Sequence, residues 1–170
     1  MLNFKRYLCI SIFTGLSLIG SRETFSAEVN LSIDTVTLCV QSGQIKDLDA
    51  LLSGGISSKG RDEIPSAPLY YAIMLNYPDC VYLLLKNGES PNVVWGENES
   101  SALAIAAQNR ASRCIAVLLQ FGADINKVDK KGFSPLYRAM VSGDDISASL
   151  LRHAGAKNLS KEEEQALHPK

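Results

Sequence analysis

Apolar residues recur at helical spacing along most of the chain, and the pattern returns with a period of about 33 residues. Leu69, Leu103 and Leu136 begin three similar stretches, and Val36 precedes Leu69 by the same interval. Within a stretch the apolar side chains follow one another three or four positions apart, which is typical of a helix with one buried face. The pattern therefore predicts a series of short amphipathic helices that repeats four times.

A second marker keeps the same register. Gly55, Gly88, Gly122 and Gly155 recur at the same intervals, and each follows its apolar partner at one constant separation. Glycine at this place suits the left-handed conformation that ends many helices. Each copy is too thin to bury its apolar face alone, so the four copies are expected to stack.

The stretch 122–137, GADINKVDKKGFSPLY, follows the consensus of the ankyrin repeat, which this period and motif resemble. The resemblance implies an all-α ankyrin-repeat solenoid of about four stacked helix-turn-helix repeats over residues 34–159. The repeats are expected at about 34–61, 62–95, 96–128 and 129–159. Tyr70 and Tyr137 replace the usual histidine and Ala102 replaces the usual proline, so the turn geometry is expected to differ there.

The start of the chain, residues 1–27, has a different character. Lys5 and Arg6 precede an apolar run over 7–19, and small residues lead to Ala27, as in a secretory signal peptide. The run is shorter than the roughly 20 residues that span a bilayer. We expect cleavage of this leader at about residues 21–27, a short linker at 28–33 and export to the bacterial periplasm. Such a chain resembles the exported bacterial type of ankyrin-repeat protein. An uncleaved anchor in the inner membrane is the alternative.

Composition narrows the function further. The 170 residues are 46% hydrophobic and 21% charged, as in an ordinary folded protein, and the net charge is −1. Nucleic-acid binding would need a basic face, so it is not expected. The two histidines fall in no ligand-type spacing, and no catalytic motif is present. We therefore expect no enzyme activity, no cofactor and no metal.

Three cysteines follow the leader. Cys80 and Cys114 occupy equivalent positions in adjacent repeats, and Cys39 falls at a position that small alanines fill in the other copies. Helices pack about 8–10 Å apart, whereas a disulfide needs Cα atoms within about 7 Å. These cysteines are expected to be small buried core residues. The polar tail at 160–170, with its Glu162–Glu164 run, is expected to be a short helix or a solvated end.

A binding role follows from the resemblance. Ankyrin-repeat proteins bind partners through a concave face built from turn tips and first helices. The residues of this chain that occupy the matching positions of its repeats are therefore candidates for partner binding. They are Arg61, Glu63, Ile64, Met74, Leu75, Trp95, Glu97, Asn98, Gln108, Asn109, Phe121, Lys130, Lys131 and Phe133.

The aromatic and basic candidates each have two interpretations. Trp95, in a polar loop, is either an exposed anchor for a partner or a side chain packed onto a neighbouring turn. Phe121 and Phe133 either contact a partner or fill the groove between repeats. Lys130 and Lys131 either steer an acidic partner or are solvated turn charges.

The sequence thus predicts a non-catalytic protein-binding module, expected to be monomeric before it binds. An immunity or inhibitor protein against a toxin effector is the favoured role, by analogy alone. The alternatives are a helper of a periplasmic enzyme such as a catalase, and an envelope adaptor tethered to the inner membrane.

Overall fold

A computed structural model describes residues 35–55 and 67–167 of the chain. The predicted leader, the linker at 28–33 and the candidates Arg61, Glu63 and Ile64 lie outside the described residues.

The described residues form pairs of antiparallel helices and one small hairpin, which confirms the all-α repeat solenoid. The first helices of the four repeats are α1 (35–41), α3 (Pro68–Met74), α5 (Ala102–Gln108) and α7 (Pro135–Val141). The second helices are α2 (Ile45–Ser53), α4 (Pro78–Lys86), α6 (Ser112–Gln120) and α8 (Asp145–His153). A hairpin of β1 (Val94–Trp95) and β2 (Ser100–Ser101) precedes α5, and α9 (Lys161–Leu167) follows the last repeat.

The starts of the first helices follow from the local sequence. Pro68 and Pro135 occupy the first helical position, where a missing N–H costs nothing. The Ser134 hydroxyl accepts a hydrogen bond from the Tyr137 backbone N–H at 3.2 Å, and Ser101 caps α5 in the same way.

The core lies between the two layers of helices. Ala72, Ala106 and Ala139 are fully buried, so the first helices of neighbouring repeats approach closely. The second helices contribute Leu84 and Leu118, which are also fully buried. First helices pack on first helices and second on second, from one repeat to the next, as expected of a solenoid.

Asparagine side chains join neighbouring repeats between the helices. The Asn92 Oδ1 accepts from the Asp124 N–H at 2.7 Å, and its Nδ2 donates to the Gly122 carbonyl at 3.3 Å. Asn126 accepts from the Lys157 N–H at 2.9 Å one repeat later. These bonds satisfy backbone groups that lie beyond the ends of the second helices.

The cysteines lie in the core, which confirms the prediction that they pack as small hydrophobic residues. Cys80 and Cys114 have free, buried thiols, and Cys39 is buried as well. Burial raises the pKa of the Cys114 thiol to about 12, and the neighbouring Cys80 adds to the rise. The reactive thiolate is therefore scarce at neutral pH.

The tail forms a helix that docks on the last repeat, so of the two predicted alternatives the solvated end is wrong. Glu163 of α9 is only 3% exposed. One carboxylate oxygen accepts from the backbone N–H and the hydroxyl of Ser134, each at 2.6 Å, and the other accepts from the Ser160 N–H at 2.8 Å. One side chain thus caps the N-termini of both α7 and α9. Within residues 35–55 and 67–167, no helix combines the length and the apolar character needed to cross a membrane.

Candidate protein-binding surface

The turns that precede α5 and α7 and the C-terminal ends of α3, α5 and α7 lie in register along the stack. We call this set the finger surface, with residues 96–99 as the second finger and 127–133 as the third. The ends of the first helices contribute Met74, Leu75, Gln108, Asn109, Val141 and Ser142. All of the described candidates from the sequence except Trp95 and Phe121 belong to it.

The second finger is a hairpin. Val94 pairs with Ser101 and Trp95 with Ser100, and the four-residue turn between them has positive φ at Gly96 and Glu99. The Glu99 N–H donates to the Gly96 carbonyl at 3.0 Å, which closes the turn. Glu97 and Asn98 at the tip are exposed, so they are available to a partner.

Trp95 points inward from this hairpin. It is 4% exposed and makes an edge-to-face contact with Tyr70 of α3, with ring centroids 5.5 Å apart. The interpretation of Trp95 as an exposed anchor is therefore wrong, and the packing alternative holds. Among the described residues, its buried Nε1 has no hydrogen-bond partner.

Asp129 organises the third finger. Its Oδ1 accepts from the backbone N–H groups of Lys131 and Phe133 at 2.9 and 3.0 Å, and its Oδ2 accepts from the Arg138 guanidinium. Burial alone would raise the pKa of the Asp129 carboxyl group. The hydrogen bonds from Arg138 and the backbone, with the Arg138 charge, instead lower that pKa below its ordinary value.

The two fingers are joined at their tips. The Lys130 backbone N–H donates to the Asn98 carbonyl at 2.9 Å, and the Lys130 ammonium lies 2.9 Å from the Glu99 carboxylate. Both charged side chains are more than half exposed, so the ion pair adds little stability. Lys127 and Lys131 are exposed and form no ion pair within the described part of the chain, which leaves two cations of the third finger for a partner.

The two phenylalanine candidates lie in different places. Phe133 is half-buried in the third finger, stacked on Tyr137 at a centroid distance of 4.3 Å and covered by Arg138 at 5.5 Å. Phe121 lies on the opposite side of the stack, where it meets Tyr82 of α4 edge to face at 5.5 Å. This contact agrees with the alternative that Phe121 fills the groove between repeats, and its place at the C-terminal end of α6 leaves it outside the finger surface as defined above.

Exposed apolar side chains mark the finger surface. The exposed fraction is 41% for Met74, 43% for Leu75, 50% for Val128 and 57% for Val141. Gln108 and Asn109 of α5 are exposed between them in register. Exposed apolar side chains with polar neighbours are the composition of a protein-binding patch.

The sequence interpretation missed the groups that hold this surface in place. Asp129 and Arg138 were not singled out, because their pairing is visible only once the turn between them is folded. Glu163 had a sequence signal, since Ser160-x-x-Glu163 is a capping box. In the part of the chain that the structure describes, no three His, Cys, Asp or Glu side chains are placed to hold a metal ion.

Comparison with known proteins gives a family. A family model of ankyrin repeats, three copies long, matches residues 69–162, which is more than half of the chain. The chain is 33% identical over 106 residues (61% of its length) to ankyrin repeat and SOCS box protein 6 of Homo sapiens. It is 31% identical over 131 residues (69%) to the ADP-ribosylation factor GTPase-activating protein AGD2 of Arabidopsis thaliana. It is 26% identical over 122 residues (72%) to glycerophosphocholine phosphodiesterase gde1 of Schizosaccharomyces pombe.

The match spans only a small part of each relative. It covers 25% of the human protein, 16% of the Arabidopsis protein and 11% of the Schizosaccharomyces protein. All three relatives are eukaryotic, so they carry no information on export in a bacterium. What they share with this chain is the repeat segment.

Proposed function

Because the chain belongs to the ankyrin-repeat family, a family of protein–protein interaction modules, we propose that it binds a protein partner through the finger surface and has no catalysis of its own. The observation that carries this proposal is the exposure of Met74, Leu75, Val128 and Val141 on that one surface. Elsewhere in the described part of the chain, three large hydrophobic side chains are similarly exposed, all on second helices.

The surface has the features of a specific interface. Its exposed apolar side chains can be desolvated by a partner, while the finger tips supply polar groups such as Glu97 and Asn98. The hydrogen bonds around Asp129 and the bond between Lys130 and Asn98 hold the third finger in one conformation before binding. Such preorganisation lowers the entropic cost of association.

The partner is best sought outside the cytoplasm. The basic start, short apolar run and small-residue exit of residues 1–27 support a cleaved leader and a periplasmic protein. We expect the mass of the exported chain to lack about 21–27 N-terminal residues. An intact N-terminus on the exported chain would contradict cleavage and favour the tethered adaptor instead.

Within the periplasm, an immunity or inhibitor protein against a toxin effector is the role we propose. A rigid surface that binds tightly and does no chemistry is suited to blocking another protein. The test begins with capture from an envelope extract on the purified chain, followed by identification of the bound protein. We expect a toxin with a dissociation constant below about 1 µM, and cells lacking the chain should be killed by it.

The captured protein separates this role from the enzyme-helper alternative. If the partner is an enzyme such as a catalase, and deletion of the chain lowers its activity without any killing, the immunity role is wrong. In both cases a Met74→Asp substitution should abolish capture if the finger surface is the site. Capture that persists after this substitution would move the site elsewhere.

A further inference from the structure

The side of the stack formed by the second helices carries a groove that the binding role does not use. The groove lies between α6 and α8, has a volume of about 770 Å³ and is open to solvent. Its lining is mostly apolar, with Ala116 and Leu119 from α6, Ile146 and Leu150 from α8, and Ala154 just after the end of α8. Small side chains at Ala116 and Ala154 leave the space open.

A hydrophobic residue is unexpected at the repeat position that Ile146 occupies. The other three repeats place Lys46, Asp79 and Arg113 there, each of them charged. Ile146 is nevertheless 70% exposed, more than the other large hydrophobic side chains that the structure describes as exposed. The core therefore gains nothing from isoleucine at this position, and the solenoid alone does not explain it.

A ridge lies one helix away from the groove, on the same side. The Tyr82 ring of α4 and the Phe121 ring at the end of α6 meet edge to face at 5.5 Å, and Tyr82 is 40% exposed. Equivalent helices of stacked repeats lie side by side and run in the same direction. The order across this side is consequently ridge, α6 and groove, with α6 in the middle.

We propose that two copies of this chain pair through this side, about a two-fold axis that passes near Ala116 of α6. A two-fold interface must be self-complementary, because each copy presents the same patch. The α4 side of α6 carries the ridge and the α8 side carries the groove. Rotation about an axis on α6 places the α4 side of one copy against the α8 side of the other, so that the ridge of each copy enters the groove of the other. The exposed, small side chain of Ala116 allows the two α6 helices to cross closely.

The charges on this side agree with the same axis. Lys86 is in the last turn of α4 and Asp145 is in the first turn of α8, on the two flanks of α6. The rotation exchanges the flanks and reverses the helix directions, which sets Lys86 of one copy opposite Asp145 of the other. Arg113 comes opposite Leu119, which is neutral, so no like charges face each other near the axis.

The width of the patch favours a second copy over a single bound helix. Second helices pack about 8–10 Å apart, so ridge, α6 and groove together are wider than one helix of about 10–12 Å diameter. Each of the three helices has nine residues and is about 13 Å long. The interface is therefore small, and the pairing is weak and reversible.

This dimer would leave both finger surfaces open, and it does not rest on the proposed binding role. It differs from the monomer expected from the sequence. Two finger surfaces in one particle would bind a dimeric or repetitive partner with increased avidity.

Sedimentation equilibrium of the purified chain tests the proposal. We expect an average mass that rises with concentration towards twice that of the monomer. Ile146→Lys, which installs the residue of the first repeat, and Ala116→Arg should each weaken dimerisation about tenfold or more, because each would bury an unpaired charge. Met74→Lys, at a finger-surface site, should leave the dimer unchanged. Thermal unfolding verifies that each variant is folded.

A charge exchange makes the test specific. Lys86→Glu alone and Asp145→Lys alone should each weaken the dimer, and the double variant should restore it, because opposite charges again face each other across the axis. A wild-type chain that stays monomeric up to about 1 mM would overturn the proposal. So would a dimer that resists Ile146→Lys but dissociates on Met74→Lys, and so would a double variant with no recovery.

Discussion

Four residues that end the first helices illustrate how much a single backbone conformation costs. The same position of the four repeats is occupied by Gly43 (φ 67°), Asn76 (φ 54°), Arg110 (φ 58°) and Gly143 (φ 66°). Glycine adopts this left-handed conformation without strain and asparagine tolerates it, whereas arginine adopts it only with strain. Arg110 is exposed, so no buried contact of its side chain offsets the strain.

We expect Arg110→Gly to raise the free energy of unfolding by about 1 kcal/mol, because it removes this strain. Gly143→Ala is the matched control in the next repeat. A Cβ there would meet no atom within 4 Å, so only the backbone is strained, and stability should fall by about 1 kcal/mol. Urea unfolding measures both variants, and an Arg110→Gly chain no more stable than wild type would contradict this account.

Asp129 gives a prediction with a defined pH dependence. Asp129→Asn should lower the free energy of unfolding by about 3 kcal/mol at pH 7, because it leaves Arg138 without its buried partner. The folded-state pKa of Asp129 is lowered, so its stabilisation is present above the unfolded pKa of about 4 and is lost as the pH falls through the folded pKa. The difference between wild type and variant should therefore shrink below pH 4. A difference that is the same at pH 7 and pH 3 would refute the assignment.

Trp95 shows where residue-level inference from the sequence left two interpretations open. A tryptophan among polar residues is either an exposed anchor or a packed side chain, and the hairpin turns Trp95 into the core. Trp95→Ala should therefore destabilise the protein by about 3 kcal/mol through loss of packing against Tyr70.

Trp95→Phe is the matched variant, since it keeps the ring and removes the buried N–H that has no partner in the described part of the chain. Its cost should be below about 1.5 kcal/mol. Thermal unfolding of both variants checks the pair, and an alanine variant as stable as wild type would restore the interpretation of Trp95 as an exposed residue.

Helices are the scale at which the sequence was most informative. Leu69, Leu103 and Leu136 repeat in register with the glycines, and the structure places a helix pair at each copy because the same local signals recur. The hairpin at residues 94–101 was not predicted. The interval from Leu69 to Leu103 is one residue longer than that from Leu103 to Leu136, and the repeat pattern does not show which backbone accommodates the extra residue. The docking of α9 depends on a contact between Glu163 and Ser134, 29 residues apart, which periodicity cannot reveal.

The tail helix stabilises the last repeat through one side chain. Glu163→Ala should lower the free energy of unfolding by about 2–3 kcal/mol, because three donors lose a charged acceptor. Glu164→Ala, at the adjacent exposed position, should change stability by less than about 0.5 kcal/mol. Equal effects of the two substitutions in urea unfolding would show that α9 does not cap the stack.

At the scale of the molecule, the residues that stabilise the stack differ from those available to a partner. Each repeat contacts only its neighbours, so the buried alanines and leucines maintain the fold while the outer surfaces are free to vary. The position of the finger surface followed from the repeat register, and Met74, Gln108 and Lys131 lie on it as transferred. The repeat register did not predict which of the candidates are exposed, because the burial of a side chain depends on how its turn orients it.

The central claim is that a partner binds the finger surface, and calorimetric titration of the captured partner tests it most directly. Met74 and Ile45 are equally exposed, at 41% and 40%, but Ile45 begins α2 on the opposite layer. Aspartate at either position should leave the fold intact. The account predicts that Met74→Asp weakens binding about a hundredfold and that Ile45→Asp leaves it within about twofold. Equal affinities of the two variants, or loss on Ile45→Asp alone, would contradict it.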